Sequence, residues 1–185
     1  MEIRTRSTDE AARDERVDVA IADRSMTMTR WFDAPRDRVW RAWTDPSELA
    51  QWWGPHGYTN PISEADARPD GSYRIVMHSP EGIDYPTTGR FLEVDPPNRL
   101  VFTDEATDMP PDWQAALDAQ TPSTPPGTEL RIGNTVTFED RDGGTLLTIT
   151  SAFLSNEERD AVVQLGAISG WSESFEKLDS LLAAP

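Results

Sequence analysis

Apolar and polar positions change period several times along the chain, and each change marks an element. Val17, Val19 and Ile21 occupy alternate positions, and Met26 and Met28 resume the alternation after residues 22–24. A period of two is that of a strand, so one long strand with a bend or bulge is predicted over residues 17–32. The pattern then turns helical. Asp33 ahead of Pro35 reads as a cap with proline in the first turn, and Val39, Trp40 and Trp43 share one face. Asp45-Pro46 closes that helix and opens a second short one through Leu49 and Trp53, which Gly54-Pro55 ends. Two short helices joined by a tight turn make a cap over one edge or opening of a sheet.

Residues 58–67 are weakly patterned and end in the turn Arg68-Pro69-Asp70-Gly71. Tyr73, Ile75 and Met77 then alternate as a strand, and Pro80-Glu81-Gly82 leads to another at 87–94 that carries Phe91. Asp95-Pro96-Pro97-Asn98 reverses the chain into a short strand at 99–103 through Leu100 and Phe102. Strands at 130–138 and 145–153 form a hairpin about residues 140–144. Ile132, Asn134, Val136 and Phe138 share one face there. Asn134 is thus either an inward polar point of a cavity or the sign of a register off by one. The count comes to about seven strands in a meander. Residues 105–129 break the rhythm with Pro110, Pro111, Pro122, Pro125 and Pro126, and with a helical piece at 112–119 carrying Trp113 and Leu117. So long a connection reads as a lid, a binding loop or a surface elaboration without a ligand role.

The last stretch, 157–182, organises the rest. Ser155 and Glu158 have capping-box spacing, and Ala161, Leu165, Ile168, Phe175, Leu178 and Leu182 form an apolar stripe. At about 1.5 Å per residue such a helix spans roughly 40 Å, enough to lie across a curved sheet. The expected fold is α+β: one antiparallel sheet wrapped against a long C-terminal helix, with any binding site between them.

Composition narrows the chemistry. A chain of 185 residues without an internal repeat reads as one domain over 17–185, behind a loose charged arm at 1–16. There is no cysteine, hence no disulfide or thiolate chemistry. No secretory or membrane-spanning pattern is present, which makes a cytoplasmic location the expectation. The net charge of -16, from 33 acidic and 17 basic residues, argues against a nucleic-acid partner. Lys177 is the single lysine. That balance fits solubility at high salt, or a genome rich in guanine and cytosine.

Candidate site residues follow from this placement. Trp52 and Trp53, beside the Gly54-Pro55 corner, could wall an apolar ligand, whereas Trp40 and Trp43 read as core. Arg30, Tyr73, His78 and Asn134 are inward polar candidates, Tyr73 and Asn134 able to orient a carbonyl or hydroxyl, with Glu64 a weaker choice. His56 and His78 are the only histidines and neither pairs with a carboxylate at ligand spacing, so no metal is expected. No serine sits in a nucleophile elbow and no phosphate cradle is present. Gly166 and Gly170 fall inside the last helix and read as close packing or a slight bend.

Several motifs keep their order and spacing in a way that resembles a known family. They are Arg30-Trp31-Phe32-Asp33-Ala34-Pro35, the run from Val39-Trp40 to Asp45-Pro46, and Trp52-Trp53-Gly54-Pro55. Further along come Asp66-Ala67-Arg68-Pro69-Asp70-Gly71, the Gly89-Arg90-Phe91 hairpin through Phe102, and Gly143-Gly144-Thr145. Together they resemble the heat-shock-protein ATPase activator homologue family of the helix-grip SRPBCC superfamily over about 25–182. Asp70 departs from the glycine common at that turn. The resemblance implies a mostly apolar cavity between sheet and helix, and a structural ion pair for Arg30 beside the first strand. Met77, Phe91, Trp113 and Trp171 complete the ligand-binding candidates, and no cofactor is implied. The leading expectation is a binder of a small hydrophobic or amphipathic molecule. One alternative is a polyketide cyclase or aromatase-like enzyme working by acid/base steps. The other is a chaperone ATPase cofactor or another interaction role, although a separate activator domain has no room in this length. A homodimer through a sheet edge or aromatic patch is a further partner reading.

Overall fold

The computed structural model describes residues 17–184; the arm expected at 1–16 lies outside them. Among the described residues eight strands form one antiparallel sheet: β1 (Asp18–Ala22), β2 (Ser25–Phe32), β3 (Thr59–Ala65), β4 (Ser72–His78), β5 (Asp84–Asp95), β6 (Arg99–Glu105), β7 (Arg131–Arg141) and β8 (Gly144–Ala152). Their spatial order is β1-β2-β8-β7-β6-β5-β4-β3. Helices α1 (Arg36–Thr44) and α2 (Pro46–Trp52) follow β2, α3 (Pro111–Gln120) lies between β6 and β7, and α4 (Asn156–Gln164) and α5 (Ala167–Leu182) close the chain. This is the α+β helix-grip arrangement.

The expected long first strand is instead a hairpin. Ala22 pairs with Ser25 across a two-residue turn at Asp23 and Arg24, and Arg24 has φ 47°. Asn156 at the start of α4 holds this turn, accepting from the Arg24 amide at 2.8 Å and donating to Asp23. The eighth strand arises because β1 is separate, and because residues 59–65 pair with β4 despite their poor pattern. β3 is an edge strand, where Pro61 and the irregular register between Thr59 and Ile62 are tolerated because one side needs no ladder bonds.

On β2, Met26, Met28, Arg30 and Phe32 face inward, while Thr27 and Thr29 meet Thr150 and Thr148 of β8 on the outer face. Asp45 caps α2 as predicted, accepting from the Ser47 amide at 2.8 Å. Asp33 does not cap α1; Pro35 occupies the cap position without a side-chain bond.

The C-terminal rod is broken. Ser155 caps α4 by accepting from the Glu158 amide at 3.1 Å, but the helix stops at Leu165, and Gly166 takes φ 96° before α5 begins. The left-handed backbone costs a residue with a Cβ about 1–2 kcal/mol. A Cβ at Gly166 would meet nothing nearer than Ser169 Oγ at 3.5 Å. Gly166→Ala is therefore expected to lose about 1–2 kcal/mol through backbone strain alone, read from denaturant midpoints at constant m-value.

The break lets the two helices take different partners. Phe175 and Leu178 of α5 are fully buried, with Phe175 edge-on to Phe32 at 5.7 Å. Trp171 stacks on Trp43 of α1 at 6.0 Å. Ala161 of α4 instead packs with Leu117 of α3 and with Leu130 in a second small core.

Candidate functional site

The proline-rich stretch is a folded insertion. Asp118 accepts from the Gly127 amide and from Gln114, and Glu157 of α4 accepts from both the amide and the hydroxyl of Ser123. These bonds seat α3 against α4 and bring Met109 and Trp113 over the space left by the helix break. The result is a partly open cavity of about 250 Å³. Its walls come from the α2 corner (Trp53, Gly54, Pro55), from strands (Met77, Ile132), from the insertion (Met109, Trp113, Leu130), and from α4 and α5 (Val162, Trp171). Lys177 donates to the carbonyls of Trp53 and Gly54 at 3.3 and 3.1 Å, which fixes the α2 corner, and burial pulls its amine below the ordinary lysine range.

Among the described residues one ionisable side chain lines this space: Asp104 of β6. It continues the inward row Leu100, Phe102, Asp104, because every second residue of a strand faces the same side. The strand expected over 99–103 stops short of it because apolar alternation ends at Thr103, although one more step of two along the strand lands on this aspartate. Tyr73 of β4 donates to Asp104 Oδ1, and Asn134 of β7 donates to Oδ2 at 2.7 Å. Asn134 in turn accepts from the buried Ser151 hydroxyl at 2.8 Å. Tyr73 also lies 2.9 Å from the Thr103 carbonyl, so its single proton is shared between two acceptors. The tyrosine ring reaches this point by lying over Gly89, where a Cβ would fall 2.5 Å from the ring and 1.7 Å from the Thr103 oxygen.

Burial raises the Asp104 carboxyl to about 6, against the opposing hydrogen bonds from Tyr73 and Asn134. The Tyr73 phenol is pushed well above its usual range, first by burial and then by the Asp104 charge. The nearby ionisable groups are Glu105 on the same strand and Arg131 of β7, which faces Glu105 at 4.0 Å. Among the described residues no cation forms an ion pair with Asp104.

The predicted site residues divide. Trp53, Met77, Trp113 and Trp171 line the cavity. Asn134 is inward but sits behind Asp104, which settles its register. Tyr73 and Phe91 border a second void of about 20 Å³, with Trp53 between the two spaces. Trp52 lies in the core, fully buried, its indole donating to the Ala42 carbonyl at 2.8 Å. His78 lies outside: it is half exposed and bonded to Asp84, its cross-strand neighbour, at 2.6 Å. The strand end that offered it as an inward group points it to solvent. Arg30 forms the expected structural pair, with Asp179, and lies over the Phe32 ring. Glu64 is exposed on β3. Among the described residues no helix is long and apolar enough to cross a membrane.

Residues 33–183 match the family model described as Activator of Hsp90 ATPase homolog 1-like protein. The fold is similar to that of protein Ms6760 from Mycobacterium smegmatis, with a TM-score of 0.76 and 30% identity over 92% of this chain and 99% of that one. A protein from Arthrobacter aurescens gives 0.74 at 26% identity, covering 92% of each chain. The AHSA1 protein from Silicibacter pomeroyi gives 0.62 at 25% identity, over 86% of this chain and 97% of that one. No match is found among curated proteins.

Proposed function

The chain belongs to the Activator of Hsp90 ATPase homolog 1-like family, and from that premise we propose that it binds a small hydrophobic or amphipathic molecule between α5, the sheet and the insertion. The observation that carries this reading is the unfilled space of about 250 Å³ walled by three tryptophans and two methionines. An apolar cavity of ~150 Å³ already holds benzene, so a ligand of one or two fused rings has room here. Large rings on both sides supply contact area at little entropic cost.

The test is titration of the protein with 1-naphthylmethanol, followed by tryptophan fluorescence. Saturable quenching is expected. Ala167 lines the cavity at the start of α5, and Ala167→Phe is expected to fill the space and weaken binding about tenfold or more while the thermal midpoint holds. Equal quenching in the two proteins would place the probe elsewhere and overturn the reading.

A second reading has one observation in its favour. A carboxyl poised near neutral pH and held by a tyrosine is the equipment of a general base. In that version Asp104 takes a proton from a bound substrate, and Tyr73 steadies the carboxylate. A turnover lost in Asp104→Asn, with binding retained, would distinguish it from simple binding.

A further inference from the structure

The cavity is mostly apolar, and among the described residues its one charged lining group, Asp104, has no counter-ion. Tyr73 and Asn134 hold Asp104 through neutral donors and occupy one lone-pair site on each oxygen. A carboxylate offers about four such sites, so two remain for a ligand. The other polar linings, Thr87 and Ser174, are uncharged, and the Ser174 hydroxyl is committed to the Gly170 carbonyl at 2.8 Å.

Resting on the binding reading above, we propose that the ligand is a cationic amphiphile: a one- or two-ring apolar body carrying a protonated amine that pairs with Asp104. Three features converge on that class. Half-buried Asp104, which no cation pairs among the described residues, gains most from a charged donor, since hydrogen bonds to ionised groups are the strong ones. The indole rings of Trp53, Trp113 and Trp171 line the same space, and indole is the aromatic group to which ammonium is most strongly attracted. The net charge of -16 draws cations toward the molecule and repels anions. A fatty acid or another carboxylate ligand would bring like charges together in an apolar space and is disfavoured.

The experiment compares three probes of one shape at pH 8: 1-naphthylmethylamine, 1-naphthylmethanol and 1-naphthoic acid. The amine is expected to bind about tenfold or more tightly than the alcohol, and the acid more weakly than either. Asp104→Asn keeps the shape and is expected to abolish the amine preference, bringing amine and alcohol level. Tyr73→Phe, which leaves the charge in place, should keep the amine preference. Amine and alcohol binding equally to the native chain, or an amine preference surviving in Asp104→Asn, would overturn the proposal and leave the binding reading standing. If none of the three binds, the binding reading falls with it.

Discussion

Trp52→Ala is expected to lower stability by about 3–5 kcal/mol, the cost of emptying a large ring from a packed core. Trp52 is completely buried, contacts Trp43 at 4.9 Å and Trp53 at 5.5 Å between ring centres, and satisfies the Ala42 carbonyl at the end of α1. Truncation removes all three, and leaves a buried carbonyl without its donor. For a domain of this size that corresponds to a drop in thermal midpoint of roughly 6–20 °C. Since whole domains are stable by only ~5–15 kcal/mol, this loss removes a large share of the total and raises the unfolded population. The measurement is denaturant unfolding with naphthylmethanol binding followed alongside. Loss of binding at full stability would instead make Trp52 a ligand residue, contrary to its place in the core.

Asp104→Asn is expected to stabilise the protein above neutral pH by roughly 2–3 kcal/mol, with the gain vanishing in acid. The sign follows from the folded carboxyl holding its proton more tightly than in the unfolded chain, about 6 against the ordinary 3.8. Ionised Asp104 therefore costs stability above about pH 6, and that cost is relieved as pH falls through 6 towards 4. A shift of about two units corresponds to roughly 2–3 kcal/mol. The asparagine keeps both contacts once the Asn134 amide turns over, with the Ser151 hydroxyl adapting as donor or acceptor. In the native chain the protonated acid can donate to the Tyr73 oxygen while Tyr73 donates to the Thr103 carbonyl, which frees the shared proton. Many carboxylates titrate in so acidic a chain, so the informative quantity is the difference between the two stability curves from pH 4 to 8. A flat difference would show that Asp104 is ionised without penalty.

The alternating strands and the capped, striped terminal segment were legible because period and turn chemistry are local. The Asp45-Pro46 helix start and the Asn134 position came through on that basis. Four features did not, and each depends on something non-local. The Asp23-Arg24 turn preserves the alternation on both sides, so the pattern passes through it unchanged; Asn156, far along the chain, holds it. β3 carries Pro61 and little pattern, and forms because β4 offers it an edge. The helix break at Gly166 leaves the apolar stripe intact, since α4 and α5 both turn apolar faces inward, towards different cores. Asp104 lies beyond the last apolar residue of its strand, so apolar alternation does not reach it, and only the pairing of β6 with its neighbours carries the strand on to Glu105.

Chain chemistry alone determined the kind of fold, the inward faces of the main strands, the cap of α2 and the aromatic supply for an apolar wall. Those are properties of spacing and side-chain type, and they hold wherever the segments end up. Tertiary structure decided which aromatics are core and which border open space, and it brought Tyr73, Asp104 and Asn134 from three strands to one point. The physical reason is that exposure and pairing belong to neighbours distant in sequence: Trp52 and Trp53 are adjacent and equally apolar, yet only Trp53 borders the cavity.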